Sequence, residues 1–183
     1  MKRLSGLLVA VMLVFVGCNR VQAPTPEPAA AAPVQTPHAN LAQLMQAIPF
    51  PASNIIFDAG TTDPGAKPKE ADTAAGATAA YSNVYGGWVA VENAALALQE
   101  TANLIMIPGR LCSNGKPVPI DQDDFKKWAA TLADAGAQAL KAAKARGNLD
   151  AMGEIGGVVT DACSMCHDKY RETPNQPTDR CTP

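Results

Sequence analysis

Five consecutive residues near the C-terminus have the types and spacing to do chemistry: Cys163-Ser164-Met165-Cys166-His167. C-x-x-C-H is the spacing of a covalent haem c attachment site. Two thiols on one helix, one turn apart, add across the two vinyl groups of a single porphyrin. The imidazole that follows then lies over the iron as proximal ligand.

Two other chemistries use a C-x-x-C pair. A structural zinc site needs four ligands; the only histidine outside the motif is His38, and the remaining cysteines stand far away in sequence. A thioredoxin-like pair follows a strand and opens a helix. Here the cysteines come late in a helical pattern with no strand before them. The bland alternative is two thiols in a helix beside an unrelated histidine.

The elements that must hold such a motif are helical. The last helix is expected from about Asn148 to Glu172. Its seam is Leu149, Met152, Gly156, Val159, Cys163, Cys166 and Tyr170, with spacings of 3, 4, 3, 4, 3 and 4. At about 100° per residue, His167 lies about 40° round from Cys163 and one turn on, so one helix can present all three groups to one flat ligand. Gly153, Gly156 and Gly157 either leave room against a porphyrin or a neighbouring helix, or only weaken the helix.

Earlier segments show the same periodicity. Leu41, Leu44, Met45 and Ile48 mark a first helix, which Pro49 and Pro51 interrupt or kink. Ile55-Ile56-Phe57 resumes an apolar surface. Asp58 to Ala79 reads as a long loop. Val84, Trp88, Val91, Ala95, Leu98, Ala102 and Ile105 form the second seam, stopped by Pro108-Gly109. Phe125, Trp128, Leu132, Ala135, Ala139 and Ala143 form the third. Asp121 is its expected N-cap, with Asp123 and Asp124 in the first turn and Gly147 at its end. Four such helices predict an all-α fold, an antiparallel four-helix bundle with haem c on the C-terminal helix. Trp88 and Trp128 fall on seams and are most simply core.

Composition agrees. The chain has 183 residues, 47% hydrophobic and only 5% aromatic, which suits small-residue helix packing around one core. Residues 1–17 form an export signal: Lys2 and Arg3, then an apolar run too short to span a membrane. Phe15-Val16-Gly17-Cys18 resembles a bacterial lipobox, with Phe15 where Leu is usual; Cys18 would then carry lipid. The competing cut after Ala23 puts Pro24 just beyond it. Residues 18–37, with Pro24, Pro26, Pro28, Pro33 and Pro37, form an extended linker. The globular domain is expected over residues 38–183, in a bacterial cell envelope, facing the periplasm.

Removal of Lys2 and Arg3 with the signal takes the formal charge from −2 to −4. No basic stripe exists, so nucleic acid is not an expected partner. Five cysteines in an exported chain need uses. Cys18 takes lipid, and Cys163 and Cys166 take haem. Cys112 and Cys181 remain, either as a disulfide, stabilising by roughly 3–4 kcal/mol in a chain-entropy account, or as free thiols.

At this point the chain resembles the class II c-type cytochromes, the cytochrome c-prime family. The resemblance rests on a motif at the C-terminal end, on its extension as Cys163-x-x-Cys166-His167-x-x-Tyr170-Arg171, and on the helical layout over about residues 40–172. It implies one haem c held between the first and last helices, with thioethers to Cys163 and Cys166 and His167 as proximal ligand. Arg171 resembles the family's proximal-side arginine, or is a solvated side chain at a helix C-terminus. The resemblance also counts Tyr170 with Arg171 among the cofactor-binding residues, with plain core packing as the alternative for Tyr170. The linker, the proline-broken first helix and the two extra cysteines depart from the family.

The family divides at the sixth iron position, filled by a methionine of the first helix or left open to nitric oxide or carbon monoxide. Met45 is the expected metal ligand here, with an ordinary core methionine as the alternative and His38 a remote third choice. Met165, Met152 and Met106 are badly placed for it. The expected function is one-electron transfer to exported redox partner proteins, without enzymatic turnover, from a membrane lipid anchor. Gas binding is the alternative, and a haemless structural envelope lipoprotein another. A homodimer is compatible with the family.

Overall fold

A computed structural model describes residues 35–66, 86–171 and 180–181. The export signal, Cys18 and most of the linker fall outside the described residues, as does Val84. The first helix, α1 (Leu41–Ala47), starts from a capping box: the Asn40 side chain accepts from the Gln43 N–H at 2.8 Å, and Gln43 Oε1 accepts from the Asn40 N–H at 3.0 Å. Ile48 leaves helical geometry at φ −123°, and α2 (Pro49–Asp58) begins at once. Pro49 sits where a missing N–H costs least, at the first position of a new helix. The two prolines thus split the first bundle helix into two short helices without ending it, and Ile55-Ile56-Phe57 belongs to α2.

Three long helices follow: α3 (Gly87–Ile105), α4 (Asp123–Lys144) and α5 (Leu149–Tyr170). α3 packs on α2 and α4, α5 packs on α4, and α2 also meets α5. The ring closes, so the architecture is an all-α four-helix bundle whose first helix is broken. The connection from α4 to α5 is only residues 145–148, which forces those two to run antiparallel. Among the described residues the β structure is one isolated bridge, Leu111 with Pro117. No helix among them is long and apolar enough to cross a membrane.

Helix ends differ in detail from the sequence expectation. α4 is capped by Gln122, not Asp121, because Gln122 N–H is drawn back to Pro119 O at 3.1 Å in a preceding turn. α4 ends in a Schellman turn, with Gly147 N–H to Ala142 O at 3.1 Å and Arg146 N–H to Ala143 O at 3.0 Å. The left-handed residue of that turn is Arg146, at φ 53°, rather than Gly147. Its guanidinium pairs with Glu92 at 3.0 Å and lies 5.9 Å from the Trp88 ring, contacts that a glycine would forgo.

The buried side chains form two groups. One fills the middle of the bundle around Ile56, Leu98, Leu132, Met152 and Val159. The other gathers Leu44, Ile105, Val118, Phe125 and Tyr170 with Cys112 and Cys181. Gly136 lets α4 approach α3: a Cβ there would stand 2.9 Å from Ala95 O and 3.0 Å from Gln99 N.

Candidate haem site

The two core groups do not meet everywhere. Between them opens a cavity of about 1140 Å³, bounded by α1 and α2 on one side and α5 on the other. Cys163 packs against the first group and Cys166 against the second, so the two thiols straddle the junction. Cys163, Cys166 and His167 all line the cavity. All three are half-buried on the final turns of α5, whose regular hydrogen bonding fixes their spacing.

Burial sets the proton chemistry. It raises the Cys163 thiol, and it pushes Cys166 up to about 11, assisted by the charges of Cys163 and Asp124. A thioredoxin-like pair needs the opposite, a lowered thiolate pKa. Burial also lowers the His167 pKa; the Arg171 guanidinium adds to this and Asp168 opposes it. The neutral imidazole, the metal-binding form, is therefore favoured. Among the described residues no group of three or more His, Cys, Asp or Glu side chains converges, so they assemble no zinc site of the kind weighed from sequence.

Met45 lines the same cavity from α1, half-buried. The other methionines among the described residues do not: Met152 is fully buried in the first core group, Met106 packs in the second, and Met165 is exposed on α5. His38 is exposed and also lies off the cavity. Arg171, the C-cap of α5, is exposed at the cavity edge, and its N–H donates to His167 O at 3.2 Å.

Tyr170 is 2% exposed and does more than pack. Its hydroxyl donates to Asp124 Oδ1 at 2.7 Å, and Lys169 pairs with the same carboxylate through Oδ2. Its ring meets Phe125 and Trp128 edge-on, with centroids 5.2 and 5.6 Å away. Asp124 had no visible partner in the sequence, since the last turn of α5 lies 45 residues on.

Sequence reasoning also missed Phe57 and Trp128 as cavity walls. Trp128 followed a core seam, and nothing in that pattern distinguishes a residue facing another helix from one facing a cofactor. The glycines singled out on α5 do not line the cavity. Gly153 instead backs Gly60, whose Cβ would stand 3.1 Å from Gly153 Cα, and Gly157 faces open space.

Cys112 and Cys181 are joined as a disulfide, with Cα atoms 5.9 Å apart and a sequence separation of 69. Both are buried, and both contribute to the cavity wall. The loop carrying Cys112 is fixed to the start of α1: Leu41 N–H donates to Leu111 O at 2.8 Å. Arg110, buried, donates from Nη1 to Ala39 O at 2.6 Å and from Nη2 to Leu104 O at 2.9 Å. Burial lowers its pKa.

Residues 118–171 match the family model for Cytochrome C'. The match spans less than a third of the chain and supports a class II, cytochrome c-prime assignment. It covers α4 and α5, including the complete C-x-x-C-H motif. It supports a haem c-type cytochrome, since members of that family carry covalent haem c and typically work in the periplasm. No curated protein and no solved structure matches the chain. The residues present suit the cofactor of the cytochrome c-prime family. They supply a large, mostly apolar cleft, two thiols at its edge on one helix, and a neutral imidazole one turn on.

Proposed function

We propose that this protein is a lipid-tethered monohaem cytochrome that carries single electrons between exported partners. Cys163 and Cys166 hold one haem c by thioethers, and His167 is its proximal ligand. Met45 is the sixth ligand, and the observation that carries this is its position: alone among the described methionines, it lines the cavity that Cys163, Cys166 and His167 line. Haem c supplies a one-electron couple when bound. Methionine–histidine ligation raises its potential.

The chain's own residues would do the rest. Phe57, Leu132 and Trp128 keep water from the cleft. The break at Ile48 separates α1 from α2, and Met45 on α1 lines the cavity. Nothing enzymatic is needed of the site. Cys18 would anchor the protein to a membrane of the cell envelope, with the proline-rich segment as tether.

The ferrous optical spectrum, taken with and without carbon monoxide, tests this function. A low-spin spectrum that carbon monoxide leaves unchanged supports electron transfer. A five-coordinate spectrum that shifts on adding the gas replaces it with gas binding at an open apolar face.

A further inference from the structure

Arg180 is a basic residue that the haem motif does not account for, and its position is over-determined. Its neighbour Cys181 is 2% exposed and bonded to Cys112. Cys181 holds φ 82°, a left-handed value that costs about 1 kcal/mol or more for a non-glycine residue and persists only when surrounding contacts impose it. Arg180 O accepts from Asn114 Nδ2 at 3.2 Å. Arg180 Nη1 in turn donates to His167 O at 3.4 Å. The same carbonyl also accepts from the Arg171 N–H at 3.2 Å.

The residue that would bind iron therefore has its backbone carbonyl held from two sides, once by its own helix and once by a distant guanidinium. The carbonyl belongs to the last turn of α5, where intrahelical donors run out and the helix dipole is negative. A guanidinium there uses the carbonyl's second lone pair, adds a fixed positive charge beside the last turn, and limits tilting of the turn that aims His167. Asn114 and Cys112 lie in one loop, so that loop and the disulfide act together in bringing Arg180 to this place.

From this arrangement we infer that Arg180 is a positioning residue for the axial histidine, and that the Cys112–Cys181 bond serves to deliver it. The inference rests on His167 being the proximal ligand. A positive charge near the iron favours the reduced state, so Arg180 raises the midpoint potential. The disulfide affects the potential only through Arg180.

The test uses the full-length holoprotein from a host competent in haem attachment. Mass spectrometry first establishes haem on Cys163 and Cys166; its absence would overturn the proposed function rather than this inference. Equilibrium redox titration is then run on wild type, Arg180→Ala, Arg180→Lys, Cys112→Ser/Cys181→Ser, and the triple variant. Arg180→Ala is expected to change the oxidised-to-reduced ratio at fixed potential about threefold or more towards oxidised, equivalent to a fall of about 28 mV for one electron. Arg180→Lys should recover most of that change. The cysteine double variant should shift the potential like Arg180→Ala, and the triple variant no further, because coupled groups are not additive. An Arg180→Ala protein with the wild-type potential overturns the positioning role. A cysteine-pair shift that persists undiminished in the Arg180→Ala background overturns the delivery role. If the cysteine variant does not accumulate, the Arg180→Ala and Arg180→Lys pair alone decides the positioning role, and Asn114→Ala in both Arg180 backgrounds decides delivery.

Discussion

The Tyr170 hydroxyl donates to Asp124 Oδ1 at 2.7 Å, tying the last turn of α5 to the first turn of α4 within one turn of His167. Lys169 completes the group. This contact fastens the cofactor-bearing end of α5 to the bundle at the point where the helix would otherwise fray.

Acid should loosen that end. Hydrogen bonds from Lys169 and then Tyr170 hold the Asp124 carboxyl below the usual aspartate value of 3.8. A depressed folded pKa contributes stability that is present above the unfolded value and lost as pH falls through the folded one. Urea unfolding between pH 2 and about 5.5 should therefore show wild type losing stability towards acid faster than Asp124→Asn. Parallel pH profiles for the two proteins would remove Asp124 from this role.

Met45→Ala should convert a low-spin ferrous spectrum to a high-spin one and create carbon monoxide binding, while the thioethers remain. An unchanged spectrum would exclude Met45 as ligand. Met152→Leu serves as a control: Met152 is fully buried but off the cavity, so the exchange should leave the spectrum alone and cost less than about 1.5 kcal/mol.

Two glycine substitutions should act in opposite directions. Gly136→Ala puts a methyl group 2.9 Å from the Ala95 carbonyl oxygen, which cannot step aside without moving α3. It should destabilise by about 1–3 kcal/mol, measured by urea unfolding. Gly157→Ala meets nothing within 4 Å and should stabilise by about 0.5–1 kcal/mol through helix propensity alone.

Loss of the disulfide in Cys112→Ser/Cys181→Ser frees a closed loop of 69 residues in the unfolded chain. A chain-entropy account expects a loss of about 4 kcal/mol in thermal or urea unfolding. A loss below about 1 kcal/mol would mean that the bond mainly serves the tail's position.

Much of this was legible in the residues because local periodicity and local chemistry coincide here. The seams of α3 and α4 follow heptad-like spacing, and Val91, Ala95, Leu98, Ala135 and Ala139 are all buried. Cys163, Cys166 and His167 lie together because one helix turn carries them. Leu149, at the seam's start, is 41% exposed, since it opens α5 in the helix's first turn. What stayed hidden depends on contacts between distant segments. The partner of Asp124 is 46 residues away at Tyr170, and that of Arg180 is fixed by a tail and a loop that periodicity does not describe. The burial of Arg110 has no sequence signal either, because its acceptors are the backbone carbonyls of Ala39 and Leu104. The left-handed residue that closes α4 is Arg146 rather than Gly147, and its guanidinium meets Glu92 on another helix, a contact that periodicity does not describe.

The central claim is a covalent bond from α5 to a haem, and intact-protein mass spectrometry reads it directly. Mature protein from a host with haem-attachment machinery should carry the mass of one haem, and digestion should leave that mass on the peptide containing Cys163 and Cys166. A polypeptide of unmodified mass, with those two thiols free or bonded to each other, would contradict the account.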